Sequence, residues 1–260
     1  MGFKRPRVSI YAPQGITNAI NEARQIASEV VTGVSAWSQH VPFAIRAVRA
    51  FSSSTHFQSR INSDEQIATT EALQNIAYHD PDAGGVQEIA QWCLDQWLRL
   101  LQEDTDNVKI LSNIGRSWLW KAQSTLLRIH DEERSPTSST GGSTGSWSPL
   151  HVDEADGETD SVREARLHSS EYVEARGLLE PAVEYLDRAV DVATTGNSLS
   201  AELLSSAAEA SMSLGNVSNP RSNERYFRKA VGLLRLAREG GFELSHSLEQ
   251  YLEDYGRFVG

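Results

Sequence analysis

Apolar residues recur three and four positions apart along almost the whole chain, which is the period of an α-helix seen from one side. Ile16, Ile20, Ala23, Ala27, Val30 and Val34 fall on one stripe and predict a helix over 17–34. Pro42, whose fixed φ suits a first helical position, opens a short second one. Ser63 and Gln66 have capping-box spacing at the head of a helix carrying Ile67, Leu73 and Ile76 and stopping near His79. The run Asp80-Pro81-Asp82-Ala83-Gly84-Gly85 reads as a turn, because Pro presets φ and Gly tolerates positive φ. Two long helices follow, over 86–103 and 107–130, and the tight link 103–106 predicts antiparallel neighbours. Helical spacing resumes with Tyr172, Ala175, Leu179, Ala182, Leu186, Ala189 and Ala193, and further helices fit 199–214, 222–239 and 246–258. Only Val8-Ser9-Ile10-Tyr11 reads as a strand, so the expected class is all-α.

Composition interrupts this pattern once. Over 135–149, 14 of 15 residues are Ser, Thr, Gly or Pro, and the stretch to Glu164 adds six acids. No core can be built from that, so 131–169 is expected to be a disordered, acidic and Ser/Gly-rich insertion. The expected division is a basic helical segment over 1–63, a first helical block over 64–130, the insertion, and a C-terminal helical block over 170–260.

Charge is uneven. The chain has 24 Lys and Arg against 35 Asp and Glu, yet residues 1–63 hold seven basic residues and two acidic ones. A body this acidic repels phosphate backbones, and the basic segment is too sparse for a nucleic-acid arm, so no nucleic-acid partner is expected. A single cysteine, Cys93, excludes a disulfide framework and a cysteine-based zinc site, and a reducing, cytoplasmic compartment fits. There is no apolar run long enough for a membrane span and no apolar signal region at the N-terminus. Arg46 to Ser52, basic and amphipathic, is similar to the end of a mitochondrial presequence, which makes mitochondrial import the alternative.

Self-similarity at about 34 residues carries the architectural reading. Leu111-x2-Ile114-Gly115-x2-Trp118 has the spacing of the first helix of a tetratricopeptide repeat, and Cys93-x3-Trp97-x2-Leu100 sits where the second helix of a preceding repeat places its residues. Ala182-x3-Leu186-x2-Ala189 and Asn223-x3-Phe227-x2-Ala230 have that second-helix spacing too, and Leu199 to Asn216 looks like a first helix ending in Gly215. The chain therefore resembles the tetratricopeptide-like helical proteins over about 64–260. The segments WCLDQWL, GRSWLWKAQ and SLGNVSNPR are also similar to fungal proteins of unassigned function. The resemblance implies an α-solenoid of antiparallel helix pairs, with Trp97 against the residues flanking Gly115 and first helices lining a concave groove. It places Lys109, Ser112, Asn113, Arg116 and Trp120 at that groove, where two cations and an aromatic would suit an acidic or aromatic peptide. Glu202, Ser205 and Glu209 occupy the matching face of the later helix. Trp120 lies about 200° around the helix from Trp118, so Trp118 and Trp97 are expected in the core and Trp120 outside it.

Other chemistry is weaker. Gly141-Gly142-Ser143-Thr144-Gly145 matches the nucleophile-elbow pattern but lacks the strand-to-helix turn the chemistry needs. No phosphate-binding glycine loop occurs, and the seven histidines lack metal-site spacing. His151, Asp153, Glu154 and Asp156 lack the Gly and distal Glu of a calcium loop, so no metal and no cofactor are expected. Cys93, on an apolar stripe, reads as a small buried hydrophobe. Ser135 and Ser148 each precede Pro and are candidate phosphorylation sites.

The functional expectation is a non-catalytic scaffold or adaptor that binds a protein or peptide partner in a helical groove. Two alternatives stand beside it. One is a helical enzyme whose Asp, Glu or His groups meet only in three dimensions. The other is a membrane-surface adaptor using the apolar face Phe43, Ile45, Val48 and Phe51 of the basic helix at 42–51.

Overall fold

In a computed structural model of the chain, residues 13–31, 37–53, 57, 61–134 and 165–257 are described. Their regular structure is helical: α1 (Pro13–Val31), α2 (Val41–Ser52), α3 (Ser63–Ala77), α4 (Gln87–Glu103), α5 (Val108–Arg134), α6 (Ser170–Thr195), α7 (Ala201–Asn216), α8 (Pro220–Glu239) and α9 (His246–Gly256), with a 3-10 turn over Trp37–Gln39. The strand expected at Val8–Tyr11 and residues 135–164 of the expected insertion, with Ser135 and Ser148, lie outside the described residues. The ends of that expected insertion are described, and its first four residues, 131–134, are helical and continue α5 past the expected boundary.

The chain divides into two compact units, residues 1–80 with 85–103, and residues 81–84 with 104–260. The first holds α1 to α4. Ile16, Ile20, Ala23 and Ile26 of α1 are buried, and α1 packs on α3 and α2. Val48 and Phe51 of α2 are buried as well, Phe51 stacked on Phe57 at 4.6 Å between ring centroids and both rings 5.7 Å from Trp92. Two of the four apolar residues offered for a membrane surface therefore belong to this core.

The head of α3 is capped one residue earlier than expected. Asn62 takes the N-cap position and its side chain accepts from the Glu65 N–H at 2.8 Å, so Ser63 is already helical. Asn serves there as well as Ser, which is why the spacing alone misplaced the cap. Gln66 donates to the Ile61 carbonyl at 2.7 Å and accepts from Arg99. Toward the other end Trp97 donates its indole N–H to the Gln74 side chain at 2.5 Å, while the Cys93 thiol lies 3.6 Å from the Thr70 carbonyl. Val86 N–H closes the turn on the Ala77 carbonyl at 2.8 Å, making α3 and α4 an antiparallel hairpin. Gly84 and Gly85 have φ of +85° and +67°, and a Cβ on Gly85 would stand 2.7 Å from the Ala77 carbonyl oxygen.

In the second unit α5 pairs with α6, α6 with α7, α7 with α8, and α8 with α9. The α5–α6 pair is antiparallel along its length. Tyr172 donates to Glu133 at 2.5 Å, Arg128 pairs with Glu174 at 2.7 Å, and near the opposite end Arg188 donates to the Thr105 carbonyl at 2.5 Å. Small Gly115 faces Ala182 and Leu186 of α6, in the place where the resemblance puts Trp97. Gly215 of α7 lies similarly under the Phe227 ring of α8. Lys229 of α8 reaches Asp187 of α6, and Arg235 donates to the Gly256 carbonyl at 2.6 Å, which fastens α9.

Candidate functional site

The face common to α5 and α7 is built from two stripes at helical spacing. On α5 it runs Arg116, Trp120, Gln123, Leu127, His130; on α7 it runs Glu202, Ser205, Glu209, Met212 and Asn216. The two helices touch, and Arg116 bridges them by pairing with Glu202. The Arg116 guanidinium also lies over the Trp120 ring, 4.5 Å from its centroid. Its side chain keeps only 14 % of its exposure, so this cation is largely enclosed by its own protein.

Farther along the same stripes the surface opens into a cleft of about 560 Å³, within the range of ligand pockets. It is lined by Gln123, Leu126, Leu127 and His130 of α5, and by Glu209, Met212, Ser213 and Asn216 of α7. Phe227, Tyr251 and Asp82 complete it. The apolar part of the lining is partly open, since Leu127 is 42 % exposed. Burial of its carboxyl raises the Glu209 pKa while Arg116 lowers it, although the residue as a whole retains exposed surface. The Tyr251 hydroxyl is buried and has no hydrogen-bond partner among the described residues. Burial first, and Tyr255 second, push its pKa far up.

The residues singled out from sequence take different places. Arg116 and Trp120 lie together on the α5–α7 face, half-buried. Lys109 is exposed near the head of α5. Ser112 donates its hydroxyl to the Lys109 carbonyl at 3.1 Å. Asn113 is buried, with its amide on the same carbonyl at 2.9 Å, so it belongs to the helix interior rather than to the face. Trp118 is only half-buried, with Lys121 5.3 Å from its ring centroid, whereas Trp97 is fully enclosed in the first unit.

Sequence reading missed the cleft. Gln123, Leu127 and His130 were accessible to it as the next turns of the Arg116–Trp120 stripe, and Met212 and Asn216 as the next turns of Glu202–Glu209. Asp82, from a turn, and Tyr251, from α9, reach the cleft only through the tertiary fold, and no local signal marks them.

Among the described residues no group of three or more His, Cys, Asp or Glu is placed to hold a metal ion, and no helix is long and apolar enough to cross a membrane. A comparison with protein-family models finds no match. A comparison with curated proteins finds none either. Among solved structures, one described as "The hypoxic regulator of sterol synthesis Nro1 is a nuclear import adaptor" aligns over 95 % of this chain and 95 % of its own, at 16 % identity and a TM-score of 0.33. A likeness at that level carries no argument about function.

Proposed function

We propose that the protein is a non-catalytic adaptor that takes a segment of a protein partner in the groove along α5 and α7. The observation that supports this most is the continuity of the two stripes. Arg116 and Trp120 at one end run on, without change of face, into a cleft with an exposed Leu127 and convergent polar groups. Helix-lined grooves of this kind receive extended or helical segments anchored by a few side chains. The pairings of α5 with α6 and α7 with α8, each with a small residue under a large one, support a tetratricopeptide-like reading of the second unit. The lone buried Cys93 is in keeping with a reducing compartment, and the cytoplasm is the proposed one.

The test is affinity capture of the tagged full chain, with partners quantified by mass spectrometry. The variant Leu127→Arg, which sets a cation inside the cleft, is compared with the wild type and with Arg225→Glu on α8. A set of partners lost only from the groove variant, at unchanged helicity, is the expected result. An identical partner profile for all three proteins would remove Leu127 from the site.

A further inference from the structure

The cleft at the far end of the groove differs in charge from the acidic-peptide site that Lys109 and Arg116 suggested. Arg116 is held by Glu202 and by the Trp120 ring. Glu209 and Asp82 line the cleft itself, and Glu202 stands on the same α7 face. Leu126, Leu127, Met212 and Phe227 give an apolar wall beside those carboxylates. Tyr251 contributes to the same lining, with its hydroxyl oxygen enclosed by the protein and without a partner among the described residues. We infer that the cleft receives a basic side chain carried next to a large apolar one, so that the groove selects basic–apolar peptide segments of its partner.

This inference rests on the adaptor reading and specifies its ligand. A guanidinium or ammonium group entering the cleft offers several donors, enough for Glu209 and Asp82 together. Its apolar neighbour covers Leu127 and Met212, surface that is otherwise left to water. An acidic segment would place its charge against Glu209 and Asp82. Volume is consistent as well, since about 560 Å³ holds two large side chains and not a folded domain.

The chain has two methionines, Met1 and Met212, and Met212 lines the cleft. Full-length protein labelled with [methyl-13C]methionine therefore reports occupancy of the cleft through one resonance, with Met1 as internal reference. It is titrated with three pools of blocked hexapeptides, in which Leu, Phe or Trp is combined with Lys and Arg, with Asp and Glu, or with Ser and Asn. The inference expects a saturable shift of Met212 with the basic pool and none with the acidic pool. Removing a charge-assisted hydrogen bond should weaken binding about tenfold in Glu209→Gln, a substitution that keeps the side-chain shape.

A Met212 shift with the acidic or the neutral pool, but not with the basic one, would overturn the inference and leave the adaptor reading standing. A shift that follows protein concentration without peptide would make the occupant a second copy of the chain and also overturn it. No shift with any pool would do the same, and the capture experiment above then decides the adaptor reading separately.

Discussion

Gly115 of α5 lies so close to Leu186 of α6 that a Cβ built on it would stand 2.5 Å from the Leu186 Cγ. It would also stand 3.1 Å from both the Ala182 carbonyl oxygen and the Leu186 nitrogen, which are backbone atoms. Leu186 can rotate away, but the α6 backbone at Ala182 can yield only by moving the helix. Gly115→Ala is therefore expected to cost about 1–3 kcal/mol by overpacking, read from urea denaturation.

Gly177 and Gly232 are the opposite case. Both sit within helices, and a Cβ on either meets nothing within 4 Å. Alanine at each should stabilise by roughly 0.5–1 kcal/mol, because glycine gives up more backbone freedom on folding. A loss of stability in either variant would contradict the packing described for α6 and α8.

The Trp97 indole N–H and the Gln74 side chain satisfy each other inside the first unit, and both residues are fully buried. Gln74→Leu leaves the indole donor without an acceptor and should destabilise by about 1–3 kcal/mol. Trp97→Phe in turn takes away the indole N–H that the Gln74 side-chain oxygen accepts. In a double-mutant cycle the two changes together should cost less than the sum of the singles, since each removes the other's orphaned partner.

Cys93 is enclosed, and burial pushes its thiol well above the ordinary value. The neighbouring Tyr78 phenol is pushed up to about 12 by burial, with Cys93 adding to the shift. Because the thiolate is the reactive form, native protein at pH 8 should resist iodoacetamide and react fully only in denaturant. Rapid labelling of the native chain would place Cys93 elsewhere.

Burial raises the Glu209 carboxyl above its ordinary value of 4.5, with Arg116 opposing. The folded state then holds that proton more tightly than the unfolded chain. The resulting stability is fully present below 4.5 and is lost as pH rises through the folded value. Glu209→Gln should therefore be the more stable protein at pH 7, with the advantage shrinking as pH falls into the carboxylate range. Denaturation midpoints measured from pH 7 down to pH 4 check the sign.

Most of the helices were legible because their buried sides obey a single period. Ile16, Ile20 and Ala23, or Leu179, Ala182, Leu186 and Ala189, are contiguous stripes that only a helix can bury on one side. Helix pairing was less legible. Gly115 advertised a close neighbour, but the tetratricopeptide-like resemblance pointed to Trp97, whereas the residues that meet it lie beyond the segment 135–164. Asn113 shows why side-chain type alone misleads. Its amide bonds the preceding turn at the Lys109 carbonyl, and a residue read as a ligand contact is part of the helix packing. The cleft was half visible, in stripes that continue from residues already noticed, while Asp82 and Tyr251 join it from elements whose placement depends on the whole second unit.

The most direct test of the groove is site-specific photocrosslinking in cells. A benzophenone amino acid is placed at Leu127 inside the cleft and, as a control, at Val173, which is 52 % exposed on α6. A discrete adduct formed through position 127 and absent from position 173 is the result this account predicts. The same adducts at both positions, or none at 127 in a protein that still captures its partners, would contradict it.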